Sequence, residues 1–449
     1  MKKVITYGTF DLLHHGHINL LKRAKELGDY LIVGVTGEAY DKRRGKLNVQ
    51  RSTIERIEDV RSTGLADEII IEEYEGQKID DIQKYGIDIF AIGSDWKEKF
   101  DYLNEFCQVV YLERTKGVSS TKIRGEIHKI VSLGIIGTGR IANRFIPESK
   151  YVSGINVNGV YNPSINDAKE FGEKHEISFY TDDLDVFFSN IDAVYIASPH
   201  ITHAEYIRQA LNNGKHVLCE NPMVLSANEA KELFDLAFKK KLILMEAMKT
   251  AYAPAFNQLI AFVKSGVIGT VKDINASLTK LSSGPLRELS STNEAGGSIT
   301  EMVTYPLLPI IKLFGNDYIN IHFYSWYKND VDLFTRGIIQ YKNAVGSFKV
   351  GLGVKSEGDL VITGTKGYAY VPAPWWRTEY FEFRFEDLNK TQKYFLKYEG
   401  EGLRYEINEF LSLINKPERN YMKINHIEST TIAGIIEKFR NGENVHYLE

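Results

Sequence analysis

The 449-residue sequence contains only two cysteines, Cys107 and Cys219, and this count excludes a disulfide framework. Both lie beside apolar residues, so we expect buried free thiols. No apolar stretch approaches the roughly 20 residues that a membrane-spanning helix requires. The first residues, MKKVITYGTF, lack the apolar core of a signal peptide. The formal net charge of -4 favours no nucleic-acid partner. We therefore expect a cytoplasmic protein with small-molecule ligands.

Short apolar segments alternate with helical segments through residues 1–128, which predicts a doubly wound parallel α/β sheet. The predicted strands are KKVITYG, YLIVGVT, DEIIIE, IDIFAIG and CQVVYLE, and the predicted helices are GHINLLKRAKELG and STIERIEDVRSTG. The segment SSTKIRGEIHK predicts a closing helix with Ser119 or Ser120 as its N-cap.

A second βαβ series begins directly afterwards at IVSLGIIG and continues to LILMEAM. From about residue 270 the strands become longer, alternating and rich in aromatic residues, which indicates a large, mostly antiparallel sheet with one face covered. Two helices are expected in the C-terminal tail. These changes predict three domains, at residues 1–128, 129–250 and 251–449.

The segment GTFDLLHHGH at residues 8–17 carries the most specific chemical pattern. It follows a strand and opens a helix, so its backbone N–H groups can face a bound phosphate. Gly8 permits a tight turn, and Gly16 permits close approach of the backbone. His14 and His17 flank the turn, where both can donate hydrogen bonds to phosphate oxygens as negative charge builds up in a transition state.

The segments YGTFDLLHHGH and RTKGVSSTKIR match the two signatures of the HxGH nucleotidyltransferase superfamily. Residues 1–128 resemble its glycerol-3-phosphate cytidylyltransferase group, as does GSDWKEKFDYL. The resemblance implies that an acceptor phosphate attacks CTP, that pyrophosphate leaves with Mg2+, and that His14 and His17 stabilise the triphosphate. It also assigns to the nucleotide Thr9, Phe10, Asp11, Lys46, Asp95, Arg114, Thr115, Ser119 and Ser120.

Two of these assignments have alternatives. Asp11 and Asp95 are candidates to orient either the metal or the base, and Asp11 is the candidate metal ligand. Lys46 belongs to the basic run KRRGK, for which a solvated loop is the alternative.

The segment LGIIGTGRIA contains Gly137-x-Gly139-x-x-Ala142, a variant of the dinucleotide-binding fingerprint between a predicted strand and a predicted helix. A purely structural glycine turn is the alternative. The acidic residue that binds the ribose is expected about 20 residues later, but Asn162 ends the second strand. Without that carboxylate a 2′-phosphate is not repelled, and Arg140 can contact it. Both NAD and NADP are admissible.

Residues 193–222 together with MEAM, AGGSITEMVTYPL and ITGTKGYAYVP resemble the Gfo/Idh/MocA oxidoreductases, and the resemblance covers about residues 130–449. It implies a Rossmann domain, a second α/β domain whose open sheet often mediates formation of a homodimer, and hydride transfer between a nicotinamide and the carbinol carbon of a sugar or polyol. The residues that it assigns to the cofactor are Gly137, Gly139, Arg140, Ile141, Asn162, Ser198, Pro199, His203 and Glu220.

Two positions depart from that family. Its usual Glu-Lys-Pro is replaced by Glu220-Asn221-Pro222, and Asn221 cannot supply a proton or a charge. Its acid and His/Tyr pair is replaced by Glu301 and Tyr305, with Tyr305 as the implied proton donor. Lys249 can restore the missing charge. A core role for Tyr305 and a solvated position for Lys249 are the alternatives.

Together the two resemblances predict a bifunctional enzyme. One domain would reduce a ketose, and the other would couple a polyol or sugar phosphate to CMP, giving a CDP-polyol for a phosphate-containing cell-surface polymer. A cytidylyltransferase with a catalytically silent oxidoreductase-like scaffold or sensor domain is one alternative. Adenylyl transfer from ATP is another.

Overall fold

The computed structural model describes all residues except 12, 38–39, 42–48, 50–52, 114–129, 283–294 and 416–422, and except the side chains of residues 54 and 55. The chain divides into two compact units. Unit 1 comprises Met1–Val131 and Lys150–Asn156, and unit 2 comprises Ser132–Ser149 and Val157–Glu449. Among the described residues no helix combines the length and the apolar character needed to cross a bilayer.

Unit 1 contains a five-stranded sheet with the order β3-β2-β1-β4-β5, in which every pair is parallel. Its strands are β1 (Lys3–Gly8), β2 (Tyr30–Thr36), β3 (Glu68–Glu72), β4 (Ile89–Gly93) and β5 (Gln108–Leu112). Its described helices are α1 (His15–Lys25), α2 (Thr53–Ser62) and α3 (Gln77–Tyr85).

Helices cover both faces of this sheet because successive side chains of a strand point in opposite directions. Val4 on β1 packs in one apolar cluster with Leu21 on α1, whereas the adjacent Ile5 packs in a second cluster with Ile82 on α3. The arrangement confirms the predicted doubly wound fold.

A six-stranded sheet follows with the order β11-β10-β9-β6-β7-β8, and its strands belong to unit 2 except for Val131, Ile155 and Asn156. The pairs β6–β9, β7–β8, β9–β10 and β10–β11 are parallel. The strands are β6 (Val131–Ile136), β7 (Ile155–Tyr161), β8 (Phe179–Thr181), β9 (Ala193–Ile196), β10 (His216–Glu220) and β11 (Leu244–Ala247). The helices are α4 (Arg140–Ser149), α5 (Ile165–His175), α6 (Leu184–Ser189), α7 (His203–Asn212) and α8 (Ala227–Lys240).

A nine-stranded sheet with the order β19-β18-β17-β16-β12-β15-β14-β13-β20 follows. Its strands are β12 (Val271–Thr279), β13 (Asn320–Lys328), β14 (Val331–Gln340), β15 (Val345–Gly351), β16 (Leu360–Gly364), β17 (Tyr368–Val371), β18 (Tyr380–Arg384), β19 (Gln392–Phe395) and β20 (Val445–Tyr447). The accompanying helices are α9 (Lys249–Tyr252), α10 (Pro254–Lys264), α11 (Ser298–Met302), α12 (Thr304–Phe314), α13 (Leu403–Asn415) and α14 (His426–Arg440).

The large sheet is mostly antiparallel, as predicted. Its parallel pairs are β12 with β15 and β13 with β20. The last strand was not predicted, because its three residues, Val445–Tyr447, are too few to show a period. Pairing with β13 orders this strand, so its conformation depends on a tertiary contact rather than on local sequence.

The two thiols differ in exposure. Cys219 is buried, as expected, whereas Cys107 is only partly buried. Neither forms a disulfide. Burial raises the pKa of both thiols above their ordinary value, so both are protonated at neutral pH.

Two candidate active sites

The first candidate site lies at the carboxyl edge of the sheet in unit 1. β1 ends at Gly8 and β4 ends at Gly93, and since these strands are parallel neighbours, the segments that follow them leave the same edge. Thr9, Phe10 and Asp11 follow β1 and are buried. Asp95 follows β4 on an exposed 3₁₀ turn. Four of the predicted nucleotide-binding residues therefore share one edge.

His14 is the N-cap of α1. Its Nδ1 accepts hydrogen bonds from the backbone N–H groups of Gly16 at 3.0 Å and His17 at 3.3 Å. The two imidazole rings stack with their centroids 3.9 Å apart, and the Phe10 ring packs edge-on against His17 at 5.5 Å. Because Nδ1 of His14 is an acceptor, Nε2 is the nitrogen that carries its hydrogen.

This cap differs from one expectation. The N–H groups of Gly16 and His17 were expected to face a phosphate, but the His14 ring accepts both. A helix leaves its first N–H groups without intrahelical partners, and a side chain directly before the helix is the nearest acceptor. In this segment the helix cap, rather than a ligand, takes up these two amides.

Sequence reasoning missed Arg56, which is fully buried on α2. Its Nη1 donates to the backbone oxygens of Thr9 and Thr36, both at 2.8 Å, and to Oδ2 of Asp41 at 3.2 Å. Oδ1 of Asp41 accepts from Thr9 Oγ1 at 3.1 Å. Arg56 thus fixes the loop that carries the histidines. Its position four residues before the buried Val60 was the available signal, since a helix places both on one face.

Five predicted residues lie outside the described part of the chain: Lys46, Arg114, Thr115, Ser119 and Ser120. Among the residues that the structure does describe, no cluster of three or more His, Cys, Asp or Glu side chains is arranged to hold a metal ion.

The second candidate site begins at the glycine turn between β6 and α4. Gly137 has φ of +98°, and a Cβ there would lie 2.7 Å from the backbone oxygen of Ala197. A Cβ on Gly139 would meet no atom within 4 Å, so the turn leaves open space directly before α4 begins at Arg140. Ala142 is buried beneath the turn. This strand, turn and helix N-terminus fit the pyrophosphate of a dinucleotide.

Asn162, directly after β7, is tied to the same turn. Its Nδ2 donates to Thr138 Oγ1 at 2.9 Å, and its Oδ1 accepts from the backbone N–H of Ser164 at 2.9 Å. No carboxylate replaces it at this strand end, and Arg140, the first residue of α4, is exposed, with Ile141 partly buried beside it. The position is therefore neutral or positive toward a ribose substituent.

His203 joins the loops that follow β9 and β10. It is fully buried, with Nδ1 3.0 Å from the backbone oxygen of Pro222 and Nε2 2.9 Å from that of Ser198. Nearby, Nε2 of His200 lies 3.1 Å from Oε1 of Glu301. These contacts give His203 a structural role in holding Ser198-Pro199 beside the Glu220-Asn221 segment.

Asn221 is held by hydrogen bonds at both ends of its amide. Its Nδ2 donates to the backbone oxygen of Ala247 at 2.7 Å, and its Oδ1 accepts from Thr304 Oγ1 at 2.8 Å. The preceding Glu220 carboxylate accepts from the Tyr195 hydroxyl and from the Asn221 backbone N–H at 3.3 Å. Burial raises the pKa of Glu220 to about 7 against the opposing effect of these donors.

Lys249 and Tyr305 approach the same segment. Lys249 opens α9 directly after β11 and is partly buried, and this burial lowers its pKa while Glu406, Glu401 and Glu220 raise it. Tyr305 lies on α12, where burial and the carboxyl groups of Glu220 and Glu406 raise its pKa and the Asn221 amide lowers it. The structure thus brings Glu220, Asn221, Lys249 and Tyr305 into one electrostatic cluster.

Comparison with known proteins gives separate matches for the two parts of the chain. A family model for cytidylyltransferase-like proteins matches residues 5–126. A model for an oxidoreductase family with an NAD-binding Rossmann fold matches residues 131–248.

Individual relatives divide in the same way. A glycerol-3-phosphate cytidylyltransferase of Bacillus spizizenii is 51% identical over 127 residues, which are 28% of this chain and 98% of that protein. A scyllo-inositol 2-dehydrogenase (NADP(+)) of Bacillus subtilis is 33% identical over 195 residues, which are 41% of this chain and 59% of that protein.

Among solved structures, a 3-ketoreductase from Actinomadura kijaniata in complex with NADP and TDP-benzene matches with a TM-score of 0.63 and 21% identity. The match covers 71% of this chain and 99% of that chain. At this level of identity the likeness shows the fold.

Proposed function

Because the chain belongs to the cytidylyltransferase family through residues 5–126 and carries an NAD-binding oxidoreductase domain at residues 131–248, we propose that it makes a CDP-activated polyol. The first domain transfers CMP from CTP to a polyol or sugar phosphate and releases pyrophosphate. The second reduces the corresponding ketose with NAD(P)H. The observation that carries the proposal is that one chain holds both sites, because successive reactions on one carbon skeleton explain their covalent linkage.

In the transfer reaction, an oxygen of the acceptor phosphate attacks the α-phosphorus of CTP in line as pyrophosphate leaves. Little covalent assistance is needed, so positioning and charge neutralisation supply most of the rate. His14 through Nε2, and His17 stacked on it, donate to the triphosphate oxygens. The buried Asp11 is the proposed ligand for Mg2+ within the first site, and the ion, when bound, would supply positive charge to the departing pyrophosphate.

The reduction needs a hydride for the carbonyl carbon and a proton for its oxygen. The nicotinamide, when bound, supplies the hydride. We assign the proton to Tyr305 and the stabilising positive charge to Lys249, because Asn221 is neutral and its Nδ2 donates to Ala247. Glu220 holds the negative charge that balances Lys249.

NADP is the proposed cofactor of the second site. The strand end beside the glycine turn carries Asn162 in place of a carboxylate and has Arg140 exposed nearby, so a 2′-phosphate meets no negative charge. The similar dehydrogenase of Bacillus subtilis is named for NADP(+). Calorimetric titration with NADPH and NADH tests the preference, and tighter binding of NADH would contradict it.

A cytoplasmic homodimer is also proposed. Tyr324 on β13 lies opposite Arg336 on β14, and Tyr324 and Ile338 are exposed on the same face of the nine-stranded sheet. Apolar side chains exposed on an open sheet favour pairing with a second copy. Light scattering of the purified protein measures the mass directly, and a monomer would contradict this part of the proposal.

His17→Ala tests the first activity. Removing the imidazole that stacks on His14 takes away a donor to the triphosphate, so pyrophosphate release from CTP should fall by about 10²–10³-fold. The assay uses CTP with glycerol 3-phosphate and with three- to six-carbon polyol phosphates, and ATP in place of CTP tests adenylyl transfer. Exposed Lys22→Ala on the same helix is the control. Near-normal release by His17→Ala would contradict the assignment.

A catalytically silent second domain is the other candidate function, and Asn221 favours it because the position is neutral. Cofactor binding distinguishes a silent domain from an active reductase. If neither NADPH nor NADH binds in calorimetry, the domain is a scaffold. If NADPH binds and is oxidised by a ketose phosphate, the domain is a reductase.

A further inference from the structure

Glu406 on α13 differs from the other acidic residues around the second site. Its side chain is fully buried. Within the described part of the chain, neither carboxyl oxygen has a hydrogen-bond partner. Burying an ionised carboxylate without a hydrogen-bond donor costs free energy. The presence of a glutamate at this buried position therefore needs an explanation.

The packing of α13 brings Glu406 toward Lys249. α13 packs against α9, whose first residue is Lys249, and against α4. The charged groups that act on Glu406 are Glu220, Lys249 and Glu148. Glu148, on α4, is already bound by Arg404, whose Nε and Nη2 donate to its two oxygens at 3.0 and 2.7 Å. Glu148 and Arg404 therefore neutralise each other.

The groups that remain are the carboxyl groups of Glu220 and Glu406 and the ammonium group of Lys249. If both carboxyls were ionised, the buried cluster would carry a net negative charge, which a low-dielectric interior disfavours. Glu220 accepts from the Tyr195 hydroxyl and from the backbone N–H of Asn221, whereas Glu406 has no donor among the described residues. The negative charge therefore belongs on Glu220 and the proton on Glu406.

We propose that Glu406 is a positioning residue of the reductase site that acts through Lys249: it carries a proton at neutral pH and, when it loses that proton, keeps Lys249 in the charged form. This rests on the proposed reductase function. Ionisation of Glu406 places a second negative charge near Lys249 and stabilises the ammonium group at the pH where it would otherwise be lost. The site then keeps its positive charge over a wider range of pH.

Other titratable groups face this cluster and do not replace Glu406. Burial raises the pKa of each surrounding phenol, so these phenols stay neutral over the pH range in which Glu406 and Lys249 change charge. The phenols belong to Tyr195, Tyr252, Tyr305 and Tyr398. Arg377 and Glu401 act on Lys249 from outside the pair, and their effects on its pKa oppose each other.

Two measurements that need no substrate test the charge states. In infrared spectra at neutral pH, Glu406→Gln should lose one protonated-carboxyl band of the wild type. After reductive ¹³C-methylation, the Lys249 signal, assigned by its loss in Lys249→Arg, should titrate about one pH unit lower in Glu406→Gln. Glu409→Gln is the matched control, because Glu409 is buried on the same helix but pairs with Lys423. An unchanged band or an unchanged titration overturns the proposal.

A kinetic measurement tests the link to the reaction. With NADPH and a ketose phosphate that the wild type reduces, the alkaline limb of the kcat profile should move about one pH unit lower in Glu406→Gln, with little change at neutral pH. Glu406→Asp should restore the limb, and Glu409→Gln should leave it in place. Equal losses at every pH would mean a merely structural role and overturn the proposal. Absence of NADPH oxidation in the wild type would instead contradict the reductase function, which the two spectroscopic readouts do not use.

Discussion

At the scale of single residues, the second site has a neutral side chain, Asn221, directly after Glu220 and a charged side chain, Lys249, on a different element. The Asn221 side-chain amide donates to the backbone oxygen of Ala247 and accepts from the Thr304 hydroxyl. Its role is therefore to fix the segment beside Glu220. Lys249 arrives from a different element, at the start of α9. In the proposed reduction, the positive charge therefore comes from the helix that follows β11 rather than from the loop that follows β10.

Lys249→Met is expected to lower the rate of NADPH oxidation by about 10²–10³-fold, because the variant removes the charge that stabilises the developing alkoxide. Cofactor binding by calorimetry should stay close to that of the wild type. The exposed Lys264→Met is the control. Retention of full activity by Lys249→Met would show that the ammonium group takes no part in the reaction.

Glu246 predicts how stability depends on pH. Burial raises its pKa to about 7 against the lowering effects of Ser429 and of the backbone N–H of Met223, which donates to its Oε1 at 3.1 Å. The folded state thus favours the protonated form. This contribution is complete below the ordinary pKa and is lost as pH rises through about 7, and it amounts to roughly 3 kcal/mol at most.

The melting temperature should therefore decrease as the pH is raised from about 5 to 7. This decrease should be smaller in Glu246→Gln, whose amide does not ionise. Calorimetric melting across this range measures it, with the exposed Glu386→Gln as control. The same slope in Glu246→Gln and the wild type would show that Glu246 is not the group responsible.

At the scale of secondary-structure elements, α1 depends on a residue that we assign to the first reaction. His14 caps the helix through Nδ1, so its ring has a structural role in addition to the proposed chemical one. Protonation of Nδ1 would remove the cap, and the helix therefore favours the tautomer that presents Nε2–H to the substrate.

These two roles separate in His14→Asn and His14→Ala. Asparagine is a good N-cap, so His14→Asn should keep the protection of the Gly16 and His17 amides against hydrogen exchange, whereas His14→Ala should lose about 1 kcal/mol of it. Both variants should lose pyrophosphate release from CTP. Mass-spectrometric exchange of the α1 peptide measures the protection. Equal loss of protection in both variants would contradict the capping role.

The parallel sheets, the glycine turn and the histidine pair were predictable because each depends on local sequence: apolar periodicity, glycine spacing and a strand-to-helix junction. The remaining features depend on distant contacts. Arg56 acquires its role only when α2 places it against Thr9 and Asp41. Glu406 was not predicted, because a Glu inside an amphipathic tail helix gives no local sign of burial.

At the scale of the whole molecule, the described residues of each candidate site lie within a single unit. His14, His17 and Arg56 belong to unit 1, while Glu220 and Lys249 belong to unit 2. A substitution in one site is therefore expected to leave the other reaction intact.

A mixture of His17→Ala and Lys249→Met proteins tests this independence. Each variant keeps the activity that the other lacks, so the mixture, given CTP, NADPH and a ketose phosphate, should form the CDP-polyol, while neither variant alone should do so. Mass spectrometry of the nucleotide pool measures the product. If each variant retains its own partial reaction but the mixture forms nothing, the two sites must act within a single chain.

The unequal exposure of the two cysteines offers a way to observe the units one at a time. Cys107 belongs to unit 1 and is partly accessible, whereas Cys219 is buried in unit 2. A brief pulse of maleimide should attach to the folded protein at Cys107 alone. A second adduct, at Cys219, would then appear only when the Rossmann sheet unfolds. The rate of double labelling under mild denaturant therefore measures the rate at which that sheet unfolds.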